Sequence, residues 1–237
     1  MLNQICRRVL LLVSGGLLLS GASLAQAGQW LVIDAEGTTL TPGTLLTEQQ
    51  KVALSEGARL TLLAENGETL KLDGPYSGVP GQKSAAGSDG KNLAAIASLL
   101  QGHSKPTTTL GVLRSGSRRT APPGAVDVDR PGKQCLSRDP VVLWRGNATT
   151  QESMTLMDAS GKMLANLPWP MGEAELTVPA DYFQDGQSYQ IQHGSRQASW
   201  QVRKASQSMD NLVATAAWMA DSGCQAQALA VLQELKD

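Results

Sequence analysis

Short runs in which apolar and polar residues alternate recur along much of the chain, and this alternation is typical of β-strands. The clearest two runs are Arg59–Ala64 and Glu68–Leu72, which are separated by Glu65-Asn66-Gly67. The Asn-Gly pair tolerates the positive φ angles of a type I′ turn, so these residues predict a tight β-hairpin. The short apolar run Trp30–Asp34 predicts a further strand.

A second group of short runs lies between residues 125 and 204, where turn signals such as Ser160-Gly161 and Asp185-Gly186 separate them. The runs are Val141–Trp144, Met154–Met157, Leu164–Leu167, Leu176–Val178, Tyr189–Ile191 and Ala198–Val202. So many short strands in about 80 residues predict an antiparallel β-sandwich of the immunoglobulin or fibronectin type. We expect Trp144, Tyr189 and Trp200 in its core.

Helical spacing appears in two places. Leu93, Ile96, Leu99 and Leu100 predict one short helix over about residues 91–100, with Ser88 or Asp89 as its N-cap. Ser206–Asp237 shows two helical stretches separated by Ser222-Gly223, which predicts an αα-hairpin. A single helical pair cannot bury its apolar face alone, so we expect this hairpin to pack against the sandwich.

These elements predict a mainly β protein with a definite order of parts. A first β domain is expected at residues 28–81, a linker with one short helix at 82–130, the sandwich at 131–204 and the helical hairpin at 205–237. The linker is rich in Gly, Ser, Thr and Pro. Its basic residues Arg114, Arg118 and Arg119 are interpreted as a solvated loop.

Residues 1–27 have the pattern of an export signal. Arg7 and Arg8 precede an apolar run, which ends at the small-residue site Ala25-Gln26-Ala27. A retained membrane anchor is the alternative, but a spanning helix needs about 20 consecutive apolar residues, and Gly15 and Gly16 interrupt this run. We therefore expect cleavage and a periplasmic product that contacts the membrane only through a partner.

The charge balance excludes one class of function. The chain has 20 Lys and Arg against 21 Asp and Glu, for a formal charge of −1. A nucleic-acid-binding protein normally carries a basic excess on one face, so this balance gives no electrostatic case for nucleic-acid binding.

The three cysteines indicate a disulfide bond if the chain is exported to the periplasm. Signal cleavage removes Cys6 and leaves Cys135 and Cys224. An even pair in an oxidising compartment predicts a disulfide bond. Two buried free thiols are the alternative; a metal site would need further ligands, and the chain has only two histidines.

The N-terminal β segment resembles the FecR-type periplasmic domain. The matching features over residues 29–81 are Leu40-Thr41-Pro42-Gly43 before an apolar pair, the Gly57 turn, and the Gly67 hairpin flanked by alternating leucines. The resemblance implies a periplasmic β domain. The best-known family members add a membrane helix and a cytoplasmic segment that signals to a sigma factor, so that role is not carried over.

The sequence offers little material for catalysis. Gly87–Asn92 departs from the phosphate-loop pattern, with Ala85 at the first glycine position. His103 and His193 are the available imidazoles, and we interpret His193 as a polar surface residue near a strand end. Acid pairs such as Asp127 with Asp129 fall in turn contexts. We therefore expect no catalytic residues, no cofactor and no metal. A hydrolase is the enzymatic alternative, and it would need a pocket that joins a histidine to a carboxylate.

The expected function is consequently a non-enzymatic protein-interaction module. An adaptor or sensor-partner of an envelope signalling system is the leading hypothesis, with an envelope protein as partner. The alternative is an envelope module that binds glycan or peptidoglycan. Trp169, between Pro168 and Pro170, is the candidate binding surface for that alternative if its side chain is exposed.

Overall fold

A computed structural model describes residues 28–81, 90–104 and 121–236 of the 237-residue chain. Within these residues the protein is mainly β, with fourteen strands and three α-helices. The expected signal peptide at 1–27, the proposed cap at Ser88 or Asp89, and the basic residues Arg114, Arg118 and Arg119 lie outside the described residues.

The first β domain is built on one antiparallel sheet with the strand order β2-β1-β4-β5. Its strands are β1 (Gln29–Glu36), β2 (Leu45–Thr47), β4 (Arg59–Ala64) and β5 (Thr69–Asp73), while β3 (Val52–Leu54) and β6 (Tyr76–Gly78) form a separate antiparallel pair. Alternate residues of β1 and β4 face opposite sides of the sheet.

Both faces of this sheet are covered, which explains the uninterrupted apolar run in β1. Trp30 and Val32 lie in a core with the β3–β6 pair, whereas Leu31 and Ile33 lie in a second core with the helices. A strand buried on both faces loses its polar alternation. The run Trp30–Ile33 therefore supplies core side chains to both faces of the sheet.

The β4–β5 hairpin is confirmed, but the predicted type I′ turn is wrong. The Gly67 N–H donates to the Ala64 carbonyl and the Ala64 N–H donates to the Glu68 carbonyl, which closes a three-residue loop. Gly67 has a φ of 89°. A three-residue hairpin needs one left-handed residue after its turn, and glycine supplies it without steric cost.

Residue Glu65 of this loop connects the hairpin to the first helix, α1 (Lys91–Ser104). The Leu93 N–H donates to Glu65 Oε2 at 3.3 Å, and Glu65 is only 8% exposed. A carboxylate at a helix N-terminus satisfies a free N–H and complements the helix dipole. The helix therefore packs in the core of the first domain and is not an isolated helix within a linker.

The second β region contains a five-stranded sheet, β11-β10-β13-β14-β8, and a three-stranded sheet, β12-β9-β7. Their strands are β7 (Val126–Asp127), β8 (Gly132–Leu136), β9 (Val141–Trp144), β10 (Glu152–Asp158), β11 (Met163–Trp169), β12 (Glu175–Val178), β13 (Ser188–His193) and β14 (Arg196–Lys204). Side chains of both sheets share one core, in which Trp200 and Tyr189 are buried. Trp144 is also buried, at 6% exposure.

Two details of this region differ from the prediction. The β8–β14 and β7–β9 pairs are parallel, so the sheets are mixed rather than purely antiparallel. The region also begins earlier than residue 131, because Val126 pairs with Leu143 and lies in the shared core. Neither β7 nor β8 shows a clear apolar alternation, which is why the sequence did not reveal them.

The C-terminal hairpin is confirmed as α2 (Leu212–Asp221) and α3 (Gln225–Lys236). Asn211 caps α2 by accepting from the Ala214 N–H at 2.9 Å. The expected packing against the sandwich is wrong, because the helices share their core with α1 and with Leu31, Ile33 and Leu63 of the first sheet. The face of the first sheet that carries Leu31, Ile33 and Leu63 is apolar, and the helices bury it.

Cys135 of β8 connects the helical hairpin to the second region. Cys135 and Cys224 lie at disulfide distance, with their sulfur atoms 2.11 Å apart, as predicted. The Gln227 side chain makes two further bonds to the backbone of Cys135. Its Oε1 accepts from the Cys135 N–H at 2.8 Å and its Nε2 donates to the Cys135 carbonyl at 2.9 Å.

Candidate functional site

The main concentration of buried charge in the described residues surrounds His193 at one end of the second β region. We call this group the His193 cluster, and it consists of Asp129, Arg145, Glu152, Trp169, His193 and Arg196. Four strands and the segments after β7 and β9 supply its members, so the sheet topology brings together residues that are far apart in sequence.

Arg145 is the most buried charged member. Its side chain is fully buried and donates from Nε to the Glu173 carbonyl at 2.9 Å and from Nη2 to the Pro170 carbonyl at 2.6 Å. Its guanidinium carbon lies 5.0 Å from the centre of the Trp169 ring, within the range of a cation–π contact. Arg145 thereby ties the end of β9 to the β11–β12 loop.

Glu152 balances this buried cation. Its Oε2 lies 3.7 Å from Arg145 Nη1 and 2.5 Å from His193 Nε2, within ion-pair distance of both, although neither contact has hydrogen-bond geometry. Its Oε1 accepts from the Thr150 hydroxyl at 3.0 Å. The side chain is 29% exposed, so this carboxylate forms the boundary between the cluster and solvent.

The other side of His193 faces Asp129. Nδ1 lies 3.5 Å from Asp129 Oδ1, and Arg196 forms an ion pair with the second oxygen of the same carboxylate. His193 is 3% exposed, so its interpretation as a surface residue is wrong. The alternation that buries Tyr189 and Ile191 continues to His193, and the two carboxylates compensate for its burial.

Trp169 is likewise not the exposed surface that a glycan-binding role required of it. Its side chain is 0% exposed, and its ring centre lies 5.4 Å from that of His193. The residue ends β11 on the inward side, where the alternation of that strand places it. The condition on which Trp169 was a candidate glycan-binding surface is therefore not met.

The arrangement is suited to structural support rather than to a nucleophilic reaction. A histidine beside carboxylates resembles part of a catalytic triad, but catalysis of this kind also needs an activated nucleophile and room for a substrate. The Thr150 hydroxyl, beside the cluster, donates to Glu152 rather than to the imidazole. A shallow pocket of about 170 Å³, which includes Ser137 and Glu175, contains no histidine.

The remaining predicted residues are placed elsewhere. His103 lies near the end of α1, with Nδ1 2.8 Å from the Leu99 carbonyl, and takes no part in the His193 cluster. Within the described ranges, no group of three or more His, Cys, Asp or Glu residues is arranged to hold a metal ion. None of the helices described is both long and apolar enough to cross a bilayer.

Asp127 lies beside the cluster and carries the clearest electrostatic cost. Its Oδ1 accepts from the Asp129 N–H at 3.0 Å. Burial raises the pKa of the Asp127 carboxyl, and the neighbouring Asp129 carboxylate adds to the rise, against the opposing hydrogen bond and the charges of Arg130 and Arg196.

No protein-family model, curated protein or solved structure matches the chain. The FecR-type and immunoglobulin-type resemblances therefore stay predictions.

Arg145→Met should lower the free energy of unfolding by about 3 kcal/mol, because it leaves the Glu152 charge without its buried partner and frees two backbone carbonyls. Arg196→Met is the matched control. The Arg196 side chain is 57% exposed, so its loss should cost less than about 1 kcal/mol. Urea unfolding of both variants measures the difference, and equal losses would contradict a structural role for Arg145.

Asp127→Asn should change how stability depends on pH. The folded pKa of Asp127 is raised, so the folded state holds more protons than the unfolded state, and stability from this group falls as pH rises above its ordinary pKa. Asparagine keeps the acceptor oxygen without the charge. Between about pH 4 and pH 7, the free energy of unfolding of the variant should therefore rise relative to that of the wild type, as measured by urea unfolding. A difference that does not change with pH would contradict the raised pKa of Asp127.

Proposed function

We propose that this protein is a non-enzymatic protein-interaction module of the bacterial periplasm, acting as an adaptor or sensor-partner in an envelope signalling system. The cysteine pair supports an oxidising compartment, because such bonds persist outside the reducing cytosol. The FecR-type resemblance of residues 29–81 supports the envelope setting.

The observation that carries the proposal is a pair of exposed apolar neighbours, Met163 and Leu164, at the start of β11. They are 59% and 40% exposed. Successive residues of a regular strand face opposite sides, so at most one of the two would normally face solvent. Both are exposed here, at an edge of the five-stranded sheet.

A β-bulge produces this exposure. In the β10–β11 pairing, Leu156 lies opposite Ala165 and Met157 lies opposite Met163, so Leu164 has no partner on β10. A bulge turns a side chain away from its regular direction. The chain therefore presents two large apolar side chains together, at a place where a soluble surface normally carries polar residues.

The exposed pair favours a protein partner. Methionine is flexible and polarisable, and it suits contact with irregular apolar surfaces of other proteins. The same edge strand contains Pro168, which lacks a backbone N–H, and it contains the bulge. Both features discourage simple strand addition, so the contact is expected to involve side chains rather than an extended sheet.

Site-specific photocrosslinking tests this proposal in intact envelopes. A photoreactive residue at Leu164 should capture one defined protein, and the yield should fall at least about tenfold when Met163→Gln weakens the apolar contact. The matched control places the same group at Leu45, which is 38% exposed on the first β domain.

The control position should not capture that protein. Capture of the same protein at both positions, or no adduct at Leu164, would contradict the interaction surface. The Met163→Gln protein must retain wild-type urea unfolding, which separates loss of contact from loss of fold.

A further inference from the structure

A small pocket beside the three-stranded sheet brings together side chains of opposite charge. We call it the Arg138 pocket. Its volume is about 170 Å³, and a cavity of similar volume admits benzene, so a ligand of roughly six to nine non-hydrogen atoms fits it. Its walls include the turn at residues 122–124, which precedes β7, and the loop at residues 137–140, which joins β8 to β9.

Backbone hydrogen bonds hold both walls in place. The Ala125 N–H donates to the Pro122 carbonyl at 3.0 Å, which closes the turn before β7. The Met209 N–H donates to the Ser137 carbonyl at 2.9 Å, which fixes the start of the loop after β8. A pocket whose walls are fixed before binding loses little conformational entropy when a ligand enters.

Arg138 and Glu175 line the pocket with opposite charges that are not paired with each other. Within the part of the chain that the structure describes, neither side chain has a partner in a hydrogen bond or an ion pair. The Arg138 guanidinium lies beside Gly124, with Cζ 3.8 Å from the position that a Cβ would occupy there. Glu175 begins β12 and faces the same side of the sheet as Val142, which lies opposite Thr177.

A buried hydroxyl and apolar side chains complete the pocket. Ser137 is 2% exposed, and among the described residues its Oγ has no hydrogen-bond partner. Buried hydroxyl groups are normally bonded, so a polar ligand atom that reaches Oγ supplies a missing bond. Pro122, Pro123, Pro140 and Val142 offer apolar contact to the rest of a ligand.

We propose that the Arg138 pocket binds a free α-amino acid with a small apolar side chain, such as valine. The carboxylate of the ligand pairs with the Arg138 guanidinium, and its ammonium group pairs with the Glu175 carboxylate. The apolar side chain of the ligand lies against the prolines. Valine falls within the size range that the pocket volume sets.

The two charges select against other ligands. A purely anionic molecule meets Glu175 as a like charge, and a purely cationic molecule meets Arg138 in the same way, so each is disfavoured. A peptide C-terminus carries the carboxylate without the ammonium group and leaves Glu175 unpaired. A free amino acid carries both charges on one carbon atom and satisfies both side chains.

Binding is expected to be weak. Arg138 and Glu175 are exposed, so water weakens their attraction to the ligand. We expect a dissociation constant for valine on the order of 1 mM. The inference goes beyond the proposed protein interaction, because Met163 and Leu164 belong to the five-stranded sheet and do not line this pocket.

Titration of the isotope-labelled full chain with L-valine, followed by amide chemical shifts, tests the inference. We expect saturable shifts at pocket residues such as Val126 and Ser137. Two analogues separate the charges, since isovalerate lacks the ammonium group and isobutylamine lacks the carboxylate. Each analogue should bind at least about fivefold more weakly than valine, because each leaves one charged side chain without its partner.

Arg138→Gln and Glu175→Gln should each weaken valine binding at least about fivefold, because glutamine keeps a polar side chain but removes the charge. The matched controls are Arg59→Gln and Glu56→Gln, which remove exposed charges from the first β domain and should leave the affinity unchanged. The same spectra show whether each variant is folded. The two analogues test the charges on the wild-type protein in any case.

The absence of saturable shifts with valine would overturn the inference, as would equal valine affinity in the wild type and both pocket variants. Binding of isovalerate or isobutylamine as tight as that of valine would also overturn it. N-acetylvaline, which has the carboxylate but no ammonium group, is the last probe. If it binds as tightly as valine, the pocket belongs to a peptide C-terminus and not to a free amino acid.

Discussion

The attachment of Cys135 to the C-terminal helices is the constraint on which the architecture depends. Cys135 lies on β8, at the edge of the five-stranded sheet, and is bound to α3 through Gln227 and to the residue before α3 through Cys224. The backbone N–H and carbonyl of an edge strand need partners when they are buried. Gln227 supplies both from one side chain, and its amide therefore substitutes for a neighbouring strand.

This attachment explains how two β regions with separate cores become one protein. The helices bury their apolar side chains against Leu31, Ile33 and Leu63 of the first sheet, and a covalent bond and a pair of hydrogen bonds connect them to Cys135 of the second region. The opposite edge of the five-stranded sheet carries the Met163–Leu164 pair. The anchored edge and the proposed interaction edge are therefore different, so a partner can bind without displacing the helices.

Elements with strong local patterns were predictable from sequence. The β4–β5 hairpin, the αα-hairpin and the cysteine pair follow from turn chemistry, helical spacing and cysteine count. The packing of the helices was not predictable, because an apolar helix face does not identify the surface that covers it. The sequence predicts His193 on the surface because polar residues usually lie there, and it makes Trp169 a candidate binding surface only on the condition that its side chain is exposed. Only the assembled sheets show that the carboxylates of Asp129 and Glu152 compensate for buried His193.

The most direct test of the central claim is urea unfolding of Gln227→Met, compared with Gln225→Met on the exposed side of the same helix. Methionine preserves the length of the side chain and the disulfide stays intact, so the variant removes only the two bonds to the Cys135 backbone. The account predicts a loss of about 3 kcal/mol for Gln227→Met, because two buried backbone groups lose their partners, and almost no loss for Gln225→Met. Equal stabilities of the two variants would contradict it.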